Sequence, residues 1–122
     1  MNAANMMGVC EALVYGHKAG LDLEKMVNLL KNGAASSAAL KGSAPKMLKR
    51  DFSPGFYVEH FAKDLGIALD EARTMNLALP GTALASQLYQ SLMAHGGSRL
   101  GTNALLNALE TINNTKVDTY KF

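Results

Sequence analysis

"VEHFAKDLGIALDEARTM", residues 58–75, decides the fold class. Val58, Phe61, Ala62, Leu65, Ala68, Leu69, Ala72 and Met75 recur at the i, i+3, i+4, i+7 spacing of one helix face. His60, Lys63, Asp64, Asp70 and Glu71 fall off that stripe. Upstream, "FSPGF" centres a turn on Pro54-Gly55, so the helix is expected to open near Tyr57.

Neighbouring segments carry the same period. Residues 1–19 are strong helix formers that end at Gly20, a C-cap residue, and apolar side chains fall on nearly every face. Such a helix is expected to be buried on all sides, in a core or against a partner. Its opening carries no capping turn, which reads as the cut end of a longer helix. "LDLEKMVNLLKNG" has Asp22 as N-cap and Gly33 as a stop. Gly42 and Pro45 are expected to divide residues 34–52 into two short helical pieces. Pro80 opens a further helix with Leu84, Leu88 and Leu92 on one face and Gly96-Gly97 as its stop. Thr102 or Asn103 caps a last helix, and "TKVDTYKF" reads as a tail. No stretch sustains a strand alternation and no fixed repeat is present. The expectation is an all-α single domain over residues 1–122, a bundle of five to seven helices.

Composition narrows the function classes. The 122 residues are 48% hydrophobic and 18% charged, enough apolar content for one core. Twelve basic against 10 acidic residues give a net charge of +2, which argues for neither a nucleic-acid nor a membrane partner. The longest apolar run, around "MMGVCEALVYG", is interrupted by Glu11 and is shorter than the roughly 20 residues of a bilayer span. The amino end has no basic region before its apolar stretch, and the single cysteine, Cys10, forbids an intrachain disulfide. A cytoplasmic location is expected.

Few residues suggest chemistry. "GGSRLGT", residues 96–102, has the GxxxxG spacing of a phosphate loop but lacks the following lysine and a preceding strand, so a helix-to-helix turn is expected. The dinucleotide fingerprint GxGxxG is absent. His17, His60 and His95 share no metal-ligand spacing, so no metal site is expected and a surface or capping role is the default for each. Cys10 and the methionines, including Met6, Met7, Met26, Met47, Met75 and Met93, read as packing residues. Lys63 and Asp64 stand out. They lie side by side near the start of the helix, with Phe56 two turns upstream of Asp64, so all three could border one cleft. A lysine point charge suits a phosphate or carboxylate, and an acceptor-only carboxylate suits a hydroxyl. A solvated ion pair on a charged face is the competing reading.

"ANMMGVCEALVYGHKAGLD", "APKMLKRDFSPGF", "HFAKDLGIALDEARTMNLALPGTAL" and "GTNALLNALE" occur in the order and spacing of a known domain. The chain resembles, over essentially its whole length, the C-terminal helical domain of the β-hydroxyacid dehydrogenase family. That family includes 3-hydroxyisobutyrate dehydrogenase and 2-hydroxy-3-oxopropionate reductase and is related to 6-phosphogluconate dehydrogenase. The K-D-L block followed by L-P is its most specific part. The resemblance implies a domain that follows an N-terminal Rossmann domain, with NAD or NADP as cofactor of the parent enzyme and none bound to these residues alone. It implies that Lys63 approaches the cofactor, that Phe56 and Asp64 border the substrate pocket, and that the catalytic lysine lies upstream of Met1. A small hydroxyacid substrate and a homo-oligomer, a dimer or tetramer built partly on the first helix, are implied as well. The family's G-x-G-x-x-D-x-S-A-L segment is altered, with Gly101 in place of the aspartate and Asn103 in place of the serine. A non-enzymatic helical dimerisation module is the alternative reading.

Overall fold

A computed structural model describes residues 1–119, and among them the architecture is all-helical. Six α-helices follow in order: α1 (Asn2–Lys18), α2 (Leu23–Leu30), α3 (Ala38–Leu48), α4 (Val58–Thr74), α5 (Pro80–Ala94) and α6 (Leu105–Ile112). A 3-10 turn, Thr102–Ala104, leads into α6. α1 runs through the middle, touching α2, α3, α5 and α6, while α4 packs mainly on α5. The core is shared by all six helices and includes the fully buried Cys10, Leu13, Met47, Val58, Tyr89, Leu105 and Leu106. No helix among the described residues is long and apolar enough to cross a membrane.

Several local signals act as the sequence suggests. The Asp22 side chain accepts the Lys25 backbone N–H at 3.0 Å and opens α2, which ends before the Gly33 turn. Gly20 and Gly96 adopt φ of +73° and +86°, the left-handed region that ends a helix cheaply only for glycine.

Other elements differ from the sequence expectation, each for a packing reason. Residues 38–48 form one helix with Pro45 inside it. An interior proline costs about 3 kcal/mol, but Ser37 caps this helix through Leu40 N–H, and Ala39, Leu40, Ala44 and Met47 bury one continuous face that offsets the loss. On α5 the buried face is Ala85, Tyr89 and Leu92, so Leu84 is rotated into solvent. On α4 the buried stripe is narrower than the pattern, leaving Ala68 and Met75 exposed. Within the single chain α1 is buried on one side only: Ala3, Met6, Val9, Cys10, Leu13 and Val14 face the core, whereas Ala4, Asn5, Gly8, Glu11 and Tyr15 are exposed, and the expected partner concerns that exposed side.

Beyond α6, the segment expected as a tail is anchored. Val117 is buried and donates its N–H to Glu110 Oε1 at 2.7 Å. Tyr120, Lys121 and Phe122 lie outside the described residues. The same carboxylate receives Arg50 Nη1 and Nη2 at 2.6 and 3.1 Å, and Arg50 Nη2 also donates to Asn107 Oδ1 at 3.0 Å. Arg50 sits at φ 57°, directly before the segment that carries Phe56, so this clasp ties both Val117 and the approach to α4 onto α6.

Candidate active site

The opening of α4 is built by a loop remote in sequence. The helix has Tyr57 at its N-cap position and no side-chain cap. Its first donors are satisfied across space instead: Val58 N–H reaches Leu100 O at 2.9 Å and Glu59 N–H reaches Ser98 O at 3.1 Å. In return Gly101 N–H donates to Phe52 O at 2.8 Å and Thr102 N–H to Phe56 O at 3.2 Å. "GGSRLGT" is therefore a helix-to-helix turn whose backbone pairs with the 52–59 segment, through an isolated Tyr57–Gly101 bridge.

Gly101 and Asn103 explain each other in this turn. A Cβ on residue 101 would stand 2.8 Å from Asn103 Oδ1 and 2.9 Å from the Ser53 carbonyl oxygen. Asn103 is buried and donates its amide to Asp51 O at 2.8 Å, so it staples the turn rather than capping α6. Gly101 and Asn103 thus form one compatible pair in this turn. Nearby, the Asp51 carboxyl is held below its ordinary 3.8 chiefly by the Ser53 hydroxyl, and also by the Ser53 N–H.

Phe56 emerges from this stapled segment with 44% of its surface exposed. Its ring lies 6.1 Å from both His60 and Phe61, and Phe61 in turn stacks edge-on against the buried Tyr89 at 5.1 Å. Tyr89 is fixed by its hydroxyl, which donates to Thr102 O at 2.9 Å, and burial pushes its ionisation well above the usual range. Lys63 Nζ lies 3.3 Å from Asp64 Oδ1, with 65% and 49% of the two side chains exposed. His60, Lys63, Asp64 and Ile67 share one exposed strip of α4 by their i, i+3, i+4, i+7 spacing.

These placements bring Phe56 beside the strip that carries Lys63 and Asp64, and give His60 a neighbouring place that its sequence context did not mark. An open groove of about 440 Å³ lies along the adjoining face, between the start of α1, Phe61 and Leu65 of α4, and residues 78–82. Phe56, Lys63 and Asp64 stand outside its lining, and Phe56 reaches it through its ring contact with Phe61. Cys10 is fully buried and its thiol is pushed far up by desolvation, which removes it as a nucleophile. No group of three or more His, Cys, Asp or Glu side chains able to hold a metal ion exists among the described residues.

Residues 1–109 match the family described as NAD-binding of NADP-dependent 3-hydroxyisobutyrate dehydrogenase. The chain belongs to this family. It is 56% identical over 115 residues to a probable 3-hydroxyisobutyrate dehydrogenase-like protein 1 of Arabidopsis thaliana, covering 94% of this chain and 34% of that protein. It is 41% identical over 115 residues to the 2-hydroxy-3-oxopropionate reductase of Escherichia coli strain K12, covering 94% of this chain and 39% of that protein. The chain therefore spans between a third and two fifths of the length of these relatives. In fold it is similar to the crystal structure of a 3-hydroxyisobutyrate dehydrogenase from Salmonella typhimurium, with TM-score 0.81 at 23% identity, over 86% of this chain and 37% of that one. The all-α bundle is thus the architecture of a segment of 3-hydroxyisobutyrate dehydrogenase-type proteins.

Proposed function

We propose that these residues form the C-terminal helical domain of an NAD(P)-dependent oxidoreductase acting on a small β-hydroxyacid or its semialdehyde, of the 3-hydroxyisobutyrate or 2-hydroxy-3-oxopropionate type. The observation that carries this reading is 56% identity across 94% of the chain to a protein named as a probable 3-hydroxyisobutyrate dehydrogenase. The 41% identity to a 2-hydroxy-3-oxopropionate reductase supports the same substrate class. That the chain matches 34% to 39% of these proteins supports a division of labour in which a separate Rossmann domain holds most of the cofactor.

In this reading Phe56 and Asp64 form the substrate-side wall and Lys63 faces the cofactor. Phe56 offers an exposed apolar face against the carbon skeleton of a small acid. The Asp64 carboxylate accepts hydrogen bonds only, which suits a substrate hydroxyl. Lys63 presents three rotatable donors on a largely exposed stem, a donor set that fits a cofactor phosphate or carboxamide oxygen. The cofactor, when bound, supplies or accepts the hydride. The general acid/base is a lysine outside these 122 residues, and the exposed face of α1 around Ala4, Gly8 and Tyr15 contributes to a homo-oligomer, a dimer or tetramer.

The test is an assay of the full-length protein carrying these residues against 3-hydroxyisobutyrate and 2-hydroxy-3-oxopropionate with NAD(H) and NADP(H). Turnover of at least one pair is expected, with the isolated 122 residues inactive and without measurable NAD(P)H affinity. Absence of turnover with either substrate would overturn the function; tight NAD(P)H binding by the isolated residues would overturn the assignment of roles.

A further inference from the structure

Arg99 occupies an unusual place for an exposed arginine. It sits inside the turn whose carbonyls, Ser98 and Leu100, receive the first two donors of α4. Its guanidinium lies 4.2 Å over the Tyr57 ring, and Nη1 donates to Glu59 Oε1 at 2.7 Å. Donating this hydrogen bond to the Glu59 carboxylate raises the Arg99 value above its ordinary one. The same Glu59 oxygen lies 3.8 Å from His60 Nε2, and the His60 ring contacts both Tyr57 at 5.5 Å and Phe56 at 6.1 Å. A continuous chain of contacts therefore runs from Arg99 through Glu59 and His60 to Phe56.

An exposed ion pair adds little to stability. What this pair does add is orientation, because a flat guanidinium that stacks on one residue and donates to another constrains both. We propose that Arg99 is a positioning residue for the α4 site: it sets Glu59 and Tyr57, through them His60, and so fixes the angle at which Phe56 faces the substrate. The proposal rests on the reading of Phe56 as a substrate-side residue. Displacement of a substrate-contacting group by about 1 Å can cost up to a hundredfold in rate, so a loosened Phe56 is expected to show in kinetics before it shows in stability.

The experiment is a double-mutant cycle in the full-length protein, with Arg99→Ala, Phe56→Ala and the pair, and with Arg99→Lys and Glu59→Gln as milder variants. Each is read by kcat/KM for the hydroxyacid and by its thermal midpoint. Arg99→Ala is expected to lower kcat/KM roughly tenfold with the thermal midpoint unchanged. Glu59→Gln should lower it in the same direction, and Arg99→Lys should recover it only in part, since an ammonium pairs with Glu59 but does not stack flat on Tyr57. In the Phe56→Ala background the Arg99→Ala loss should shrink to less than about twofold, as expected of coupled residues. An equal loss in both backgrounds, or a loss that tracks a fall in thermal midpoint across all variants, overturns the positioning role while leaving the site standing. If Phe56→Ala alone leaves kcat/KM unchanged, the site reading itself fails and the positioning role falls with it.

Discussion

Replacing Glu110 by alanine removes the junction that holds three parts of the chain together. The Glu110 side chain is 7% exposed and its partner Arg50 34% exposed. Loss of the carboxylate orphans the Val117 N–H, a buried donor, at a cost of about 1–3 kcal/mol. It also removes two charge-assisted bonds from Arg50, each set worth about 1.5–3 kcal/mol in a protected site, a figure to be discounted because the guanidinium can turn to water. The expected sum is about 2–4 kcal/mol, since the two losses overlap. For a domain of this size that is on the order of 10 °C in the thermal midpoint. Glu110→Gln, which keeps an acceptor for Val117, should fall between the wild type and Glu110→Ala. The internal reference is Asp70→Ala, which breaks a pair with Arg73 that is 72% and 75% exposed and should change nothing measurable. Urea unfolding gives the free energies, and limited trypsinolysis at Lys116 reports release of the anchored segment. A Glu110→Ala cost indistinguishable from that of Asp70→Ala would refute the clasp as a stabilising element.

The stapled turn gives further expectations. Gly101→Ala should destabilise by about 1–3 kcal/mol, because its Cβ would press on the Ser53 carbonyl oxygen and Asn103 Oδ1; an unchanged urea midpoint would contradict the close approach. Gly66→Ala, in the middle of α4 where a new Cβ meets nothing within 4 Å, should stabilise by about 0.5–1 kcal/mol on propensity alone. For Asp51 the folded-state carboxyl lies below the unfolded value of 3.8, so its contribution is complete above that value and is lost as pH falls through the lower folded value. The difference in urea midpoint between wild type and Asp51→Asn should therefore be largest at neutral pH and close below pH 3.8, and a pH-independent difference would count against the Ser53 interaction.

Helix count and most boundaries were legible because they rest on local chemistry: the period of residues 58–75, the Asp22 cap, Pro80 at a first turn and the glycine stops. The misreadings all concern information carried by residues far apart. Pro45 does not break α3 because the cost is met by the face that Ala39, Leu40, Ala44 and Met47 bury against other helices, which no local rule contains. Leu84 leaves the buried face of α5 and Tyr89 occupies it for a similar reason, since the Tyr89 hydroxyl is satisfied there by the Thr102 carbonyl. Phe56, Lys63 and Asp64 stand out in the sequence by their motif, and their role in a site is the proposal made above. The contacts that brace the 51–59 segment, Arg99 on Glu59 and Asn103 on Asp51, span about 40 to 50 positions and leave no spacing signature.

The most direct test of the account is the affinity of NADPH and NADH for the full-length protein with and without Lys63→Ala, followed by cofactor fluorescence. If Lys63 reaches the cofactor, its loss should weaken binding about tenfold, the equivalent of roughly 1.4 kcal/mol, while the exposed Arg73→Ala control on the far turn of α4 leaves binding as it was. Equal affinities for wild type and Lys63→Ala would contradict the central claim, returning Lys63 and Asp64 to the status of a solvated ion pair.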